Sequence, residues 1–439
     1  MPCEGRPHPV RLRPGPGGAL PGGSEPPVGF TQFVVKLHSR CNFACPDCYV
    51  YELRDSGWSA QPRVMPRAVM DRAARRIAEH IRRHRPREAR VMLHGGEPLL
   101  AGPERIRGLA EALRTAWTGL DTALDLVVQT NGALLDRRYL DVFRQLGIRV
   151  GVSLDGTRES HDRRRRYRSG RSSHDDVVRA LDLLRTPRYR HLYAGLLCTV
   201  NLADDPVDTY EALLAHEPPA LDLLIPHGTW EFPPPGLTPG PRSGSGRPQA
   251  RELPYARWLV AAFDRWFDAP VREVPVRLFD SLVELHLGGA STSEVWGPVG
   301  SDVVVVQPDG SIEQNDILKA VHDNAAHTGC HIDSHDFDEA AAHPGFAAER
   351  AGPAGLCAQC RACPVVGICG GGLRVHRYRP ENGFDNPSCY CADLRALIEH
   401  VRARITRSLH SLARSRHEEV TEGGFFPGLG MPLDKKPLR

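Results

Sequence analysis

From Phe33 to Ile225, short apolar runs alternate with amphipathic stretches, a rhythm that restricts the chain to repeated β-α units around a parallel sheet. Strands are predicted at Phe33–Leu37, Arg90–Leu93, Asp125–Gln129, Arg149–Ser153, Ala194–Val200 and Leu221–Ile225. Helical spacing of apolar residues falls between them, near 66–84, 104–117, 136–146, 174–185 and 206–216. Six such units suit an open (β/α)6 barrel, where ligands collect at the C-terminal ends of the strands. A Pro/Gly/Ser-rich connection follows over 232–248, then an apolar helix at Tyr255–Phe267. Val303–Val306 with Asp309-Gly310 reads as a β-hairpin opening a second, Cys-rich module that runs to Cys391.

Residues 1–28 are dense in Pro and Gly and poor in large apolar side chains, which predicts a disordered leader. A polar tail begins near 418. The formal charge of +3 is too small to imply a nucleic-acid partner. Lysines stand at 36, 319, 435 and 436 alone, so 56 − 4 = 52 basic residues are arginine. No stretch reaches the roughly 20 apolar residues of a membrane span, and the N-terminus lacks a signal-peptide core. No membrane partner and a cytoplasmic location are expected. In that compartment, 12 cysteines gathered mainly in two groups read as ligands rather than disulfides.

The first group follows the first strand: His38-Ser-Arg-Cys41-Asn-Phe-Ala-Cys45-Pro-Asp-Cys48-Tyr49. A closed tetrahedral metal site needs four ligands, whereas this knot offers three thiolates. An iron–sulfur cluster held by three cysteines keeps one iron open to a substrate or cofactor. The alternative is a zinc knuckle that borrows a fourth ligand, such as His38. After the second strand, His94-Gly95-Gly96-Glu97-Pro98 combines glycines that admit close backbone approach with a carboxylate that can accept from an ammonium group. Gln129-Thr130-Asn131-Gly132 and Val152-Ser153-Leu154-Asp155-Gly156 end the third and fourth strands, and either also reads as a plain turn. The basic stretch His161-Asp162-Arg163-Arg164-Arg165 comes next and also reads as a solvated helix start.

The second group is Cys357, Cys360, Cys363 and Cys369, with Cys389 and Cys391 downstream. C-x2-C-x5-C plus a distant cysteine supplies four thiolates, enough to saturate an iron–sulfur cluster or a zinc ion. Cys360, Cys363, Cys369 and Cys391 are the expected ligands, and Cys357 or Cys389 could replace a neighbour.

The C-x3-C-x2-C knot is the signature of radical S-adenosylmethionine (SAM) enzymes, and this sequence resembles them. The second group resembles a SPASM module. Cys48-Tyr-Val-Tyr-Glu52, Pro226-His-Gly-Thr-Trp230, Gly310-Ser-Ile-Glu-Gln314, Asp316-Ile-Leu-Lys319 and Cys369-Gly-Gly-Gly-Leu-Arg-Val-His-Arg-Tyr378 further resemble the FxsB-type peptide maturases, over about residues 30–405.

The resemblance implies an α/β fold: a partial (β/α)6 radical SAM barrel followed by a small Cys-rich SPASM-like α+β module. The core barrel is expected over 29–231, a linker and bridging helices over 232–300, the auxiliary-cluster module over 301–405, and a helix end with the polar tail over 406–439. It implies three cofactors: a 4Fe–4S cluster on Cys41, Cys45 and Cys48, SAM, and one auxiliary 4Fe–4S cluster. Gly95, Gly96 and Glu97 would hold the SAM amino group. Thr130, Asn131, Ser153 and Asp155 would line its ribose and methionine, and Arg165 would meet its carboxylate. Asp47 stands where many members carry an aromatic residue, so Tyr49 is expected to face the adenine. The implied reaction forms a bond from an aromatic ring to a side-chain β-carbon, a three-residue cyclophane, in a ribosomally made precursor peptide. A reductase would supply electrons. Glu313, Asp316 and His227 are candidates for touching substrate or taking the ring proton. A thioether-forming or formylglycine-type maturase is the alternative within the class; its usual SPASM module holds two auxiliary clusters, whereas Val304–Gly310 lacks the cysteine that would anchor the first. A non-catalytic zinc scaffold is the alternative outside it.

Overall fold

The computed structural model describes residues 29–237, 252–298 and 300–422. The expected leader, most of the 232–248 connection and the tail beyond 422 lie outside the described residues. Six β-α repeats build the first half. Their strands are β1 Gln32–His38, β2 Glu88–Gly95, β3 Ala123–Thr130, β4 Ile148–Ser153, β5 Tyr193–Thr199 and β6 Leu221–Leu224. The helices are α1 Arg67–His84, α2 Pro103–Ala116, α3 Arg137–Leu146, α4 Arg158–Arg164, α5 His174–Arg185 and α6 Pro206–Leu214.

The helices form where the apolar spacing dictates. Met70, Ala73, Ala74, Ile77, Ala78 and Ile81 recur at three- and four-residue intervals on α1 and are all buried. Burying each large aliphatic chain on such a face is worth roughly 1.5–3 kcal/mol. Helix α3 starts at Asp136, whose carboxylate accepts the N–H groups of Arg138 and Tyr139, and stops at Gly147 with φ of 56°. These caps fix where each strand hands over to its helix, and therefore where the strand-end loops sit.

β1 to β6 run parallel in the order β6-β5-β4-β3-β2-β1. The sheet continues on the far side of β1 through β7 Val303–Val306, β8 Ser311–Glu313 and β9 His327–His331. The expected hairpin is there, with Val305 opposite Glu313 and Val306 opposite Ile312. Its first strand also pairs parallel with β1, from Gln32↔Val303 to Val35↔Val306. All four valines of β7 are buried, as an interior parallel strand requires. The second module therefore extends the barrel sheet directly, and Asp316, just past β8, comes to the mouth of the barrel.

The two halves share one core. Phe337 packs on Phe33 with centroids 5.1 Å apart, and Phe346 on Phe30 at 4.8 Å. Helices α7 Pro254–Phe267 and α8 Arg277–His286 bridge to the long helix Cys391–Glu422, which buries Leu394, Leu397, Ile398 and Val401 and runs unbroken through residue 405. Among the described residues, no helix is long and apolar enough to cross a membrane.

Candidate active site

The cysteine knot leaves β1 and folds back on the turn after β2. Gly96 N–H donates to His38 O at 2.8 Å, and Glu97 N–H to Arg40 O at 3.0 Å. A Cβ on Gly95 would lie 2.4 Å from His38 O, and one on Gly96 would lie 1.9 Å from Tyr51 Oη and 2.5 Å from Arg40 O. The close approach for which these positions need glycine is thus made by the knot's own backbone. Phe43 anchors the loop edge-on against Tyr167 at 5.1 Å, and Asn131 Nδ2 donates to Asn42 Oδ1 at 2.8 Å.

Cys41, Cys45 and Cys48 are partly buried and form no disulfide. Burial pushes the Cys41 thiol up to about 12 and that of Cys45 up to about 11. A bound cation would favour the thiolate form that burial opposes. His38 Nδ1 accepts the Arg40 N–H at 3.1 Å, so the fourth ligand of the zinc alternative is committed to backbone at that nitrogen. Three thiols with an open fourth position fit a 4Fe–4S cluster better than a closed zinc site.

Glu97 is fully buried and straps the ends of β2 and β3 together. It accepts from Thr130 Oγ1 at 2.7 Å, Leu99 N at 3.0 Å and Asn131 N at 2.8 Å. Burial outweighs these donors and lifts its carboxyl to about 7. With roughly four lone-pair positions on a carboxylate, about one remains for a ligand. Thr130 and Asn131 are likewise engaged, Thr130 Oγ1 by Gly132 N at 3.0 Å and Asn131 Oδ1 by Ala133 N at 3.1 Å. Ser153 Oγ accepts from Gln129 Nε2 at 3.1 Å.

The three arginines part company at the end of α4. Arg163 pairs with Asp204 and Arg164 with Asp47. Arg165 turns inward, and its Nε donates to Asp155 Oδ2 at 2.8 Å. Asp155 also accepts Thr199 N at 3.0 Å. Burial opposes the charge on Asp155, but Arg165 prevails and holds its carboxyl below the usual range. Arg165 also acts electrostatically on Cys45, offsetting part of the rise that burial causes in its thiol. Asp47, which replaces the expected aromatic, thus serves as the counter-ion of Arg164. Tyr49 meets His227 edge-on at 5.1 Å and packs against the cluster of Leu318, Ala320 and Val375.

On the side of the second module lies a buried ionic network. Lys36 Nζ is 2.5 Å from Asp316 Oδ2, with both side chains nearly inaccessible. Glu313 pairs with Lys319 at 2.9 Å and with His327 at 2.9 Å, and Lys319 reaches Asp55 at 3.4 Å. Gln307 bridges Glu313 and Asp316. Burial works against the charge on Glu313, yet His327 and Lys319 hold it down to about 2. His227 is pushed down to about 4 by burial and its Nδ1 has no hydrogen-bond partner. Sequence reasoning passed over Lys36 and Lys319. A signal was available: two of the chain's few lysines sit in apolar runs, Phe33-Val-Val-Lys-Leu37 and Ile317-Leu-Lys-Ala320, where a buried ammonium needs a partner.

In the second module Cys360 lies on the one-turn helix Ala358–Arg361 and Cys369 ends the one-turn helix Val366–Cys369. Cys360 feels Cys357, Cys391 and Cys369, while Cys369 feels Cys391 and Cys363. Cys357 therefore joins the four expected ligands as a fifth neighbour. The groups acting on the Cys389 thiol are its own backbone, Tyr390 and Asp393, with no cysteine among them.

Over 392 residues the chain is 24% identical to the cysteine-type anaerobic sulfatase-maturating enzyme of Clostridium perfringens strain 13, covering 87% of this chain and 98% of that one. The solved structure of native anSMEcpe with bound AdoMet and Cp18Cys peptide superposes with a TM-score of 0.69 at 21% identity, over 87% of this chain and 99% of that chain. Streptococcus suis SuiB bound to precursor peptide SuiA superposes with a TM-score of 0.51 at 13% identity, over 83% of this chain and 76% of that chain. Residues 35–209, which hold the knot and the ends of β1 to β5, match the radical SAM superfamily, and the chain carries a radical SAM domain.

Proposed function

We propose that this radical SAM protein modifies a ribosomally made precursor peptide, joining an aromatic ring to a neighbouring side-chain β-carbon. The observation that carries the reading is the buried Lys36–Asp316 pair, set at the barrel mouth between the cysteine knot and a second module that offers thiolates for one further cluster. Cys41, Cys45 and Cys48 would hold the first cluster, and Cys363, Cys369 and Cys391 with Cys360 or Cys357 the auxiliary one. With SAM also bound, the first cluster would supply the electron that cleaves SAM to methionine and a 5′-deoxyadenosyl radical able to take a hydrogen atom, and the auxiliary cluster would accept the one electron left over.

The protein's own part is positioning and proton handling. Asp155 grips Arg165 through Nε, leaving the forked Nη pair for a ligand carboxylate. The remaining lone pair of Glu97 suits an ammonium group. Glu313 is engaged by Lys319, His327 and Gln307, and the His227 ring packs edge-on against Tyr49. Asp316 takes the ring proton, with Lys36 holding the carboxylate in place. Glu313, Lys319 and Asp55 brace the hairpin behind it. The peptide loses two hydrogens, one to 5′-deoxyadenosine and one as a proton.

A second reading, oxidation of a cysteine or serine to formylglycine, draws on the likeness to sulfatase-maturating enzymes across most of both chains. The stretch Val304–Gly310, which lacks the cysteine that would anchor a first auxiliary cluster, favours the crosslink. The test is anaerobic reconstitution with iron and sulfide, then reduction with SAM and candidate peptides by a reductase or dithionite. Formation of 5′-deoxyadenosine with a peptide lighter by two hydrogens and unreactive to aldehyde reagents supports the crosslink. An aldehyde-reactive product would replace it with the second reading.

A further inference from the structure

At the opposite end of α1 from the strand-end loops, three ligand types converge outside the site described above. His80 and His84 lie one turn apart on α1, with ring centroids at 4.3 Å. Asp338, on the short helix α9 Phe337–Ala341 of the second module, directs Oδ1 to both rings, 2.9 Å from His80 Nδ1 and 2.7 Å from His84 Nε2. These ligand atoms all lie within 4.8 Å of one another. Gly29 closes over the pair, since a Cβ there would sit 2.5 Å from His84 Cγ and 2.8 Å from His80 Nε2.

Two observations go beyond proximity. His80 is 3% exposed, and neither ring nitrogen has an aligned hydrogen-bond partner, although Nδ1 lies 2.9 Å from the Asp338 carboxylate. Arg83 occupies the other carboxylate oxygen of Asp338 and also pairs with Asp336 at 3.2 Å. An arginine on Oδ2 keeps the carboxylate charged and oriented, as an outer-shell partner does for a metal ligand.

We propose that His80, His84 and Asp338 form a divalent transition-metal site of zinc type that clips the end of α1 to the second module. Two neutral imidazoles and one carboxylate, with solvent for the remaining position, suit this ion class, whereas calcium and magnesium take oxygen ligands. The clip adds to the contacts that already tie α1 to the second module, such as Arg76 Nε donating to Ile332 O at 3.1 Å and Arg72 pairing with Asp333 at 2.6 Å. Its role is structural: it locks the module whose hairpin carries Asp316 onto the barrel.

The experiment uses the cluster-reconstituted full chain, stripped of loosely bound metal, and titrates it with zinc alone against a chromophoric competitor. Wild type is expected to bind one more zinc per chain than H84Q and to melt at a higher temperature in its presence. Both H84Q and D338N should lose that zinc and that shift while keeping wild-type iron content, which reports that each has folded. Equal zinc stoichiometry and equal melting response in wild type and the iron-loaded variants would overturn the site and leave a simple carboxylate–imidazole contact.

Discussion

The two cysteine groups hold their ligands in opposite ways. The knot is one loop tied to the turn after β2 by backbone hydrogen bonds, to the end of β3 by Asn131 Nδ2 donating to Asn42, and to Tyr167 by Phe43, so its position is set by many contacts besides its ligands. The second group sits on two four-residue helices and the first turn of the helix from Cys391, followed by Gly370, Gly371 and Gly372 with φ of 62°, 85° and 66°. Leu356, Cys357 and Cys360 form a small apolar cluster of their own, while Cys363 and Cys369 sit at the edge of the main core. An open site must be preformed, because a missing ligand cannot help to assemble it. A saturated site can draw folding energy from the metal itself. Stripping iron from the reconstituted protein should therefore raise amide exchange by orders of magnitude over residues 357–370 and leave β1 to β3 protected. Equal exposure of both regions would break the contrast.

The same contrast predicts the largest functional split. Replacing Cys41, Cys45 and Cys48 together by Ala should abolish 5′-deoxyadenosine formation, and iron should fall from about eight to about four atoms per chain. Replacing Cys391 should leave SAM cleavage within a few-fold of wild type and suppress the peptide product. Undiminished cleavage in the triple variant would sink the assignment of the knot.

Glycine substitutions sharpen the comparison at the level of backbone. Gly96→Ala places a methyl 2.5 Å from Arg40 O in the knot, and Gly370→Ala places one 1.7 Å from Gly297 O, at a left-handed φ of 62°. Each should cost about 2–4 kcal/mol. The first should also lose the knot's iron, whereas the second should lose auxiliary iron and keep SAM cleavage; iron analysis and denaturant melts read both.

Much of this was legible in the sequence because it is local. Apolar periodicity located β1 to β6 within a few residues, and the knot, the Gly-Gly-Glu-Pro turn and the two short turns fell at strand ends as expected. What was not legible depends on pairing across long separations. Nothing in Val303–Val306 says that its partner is β1, and nothing in Asp316 says that it meets Lys36. Arg165 is the arginine expected from the sequence to face a ligand carboxylate, but which partner each of the three meets depends on where α4 ends: there Arg165 turns to Asp155, Arg163 to Asp204 and Arg164 to Asp47.

Two buried carboxylates, one in each half, titrate in opposite directions from an ordinary value of 4.5. Glu97 is lifted to about 7, so the unfolded chain binds fewer protons than the folded one between those values, and its contribution is lost as pH rises from about 4.5 to about 7. Glu313 is held at about 2, so its contribution is present above 4.5 and lost as pH falls toward 2. At 1.36 kcal/mol per unit each is worth on the order of 3 kcal/mol. Urea unfolding of the apoprotein should show both slopes. Glu97→Gln should flatten the neutral one alone, and Glu313→Gln the acidic one alone.

The smallest effect tests the inner arginine. Asp155 grips Arg165 through Nε, so lysine, with a single ammonium, can keep that pair or reach a ligand carboxylate but not do both. Arg165→Lys should raise the KM for SAM about tenfold, near 1.4 kcal/mol, with iron content and the maximal rate of cleavage little changed. Arg163→Lys, on a side chain 40% exposed and paired with Asp204, should leave the KM within about twofold. If the two variants behave alike, Arg165 only buttresses Asp155, and the ligand carboxylate must find its cation elsewhere in the barrel mouth. If Arg165→Lys instead loses iron, its action on Cys45 matters more than its fork, and the arginine belongs to the knot rather than to the SAM side of the site.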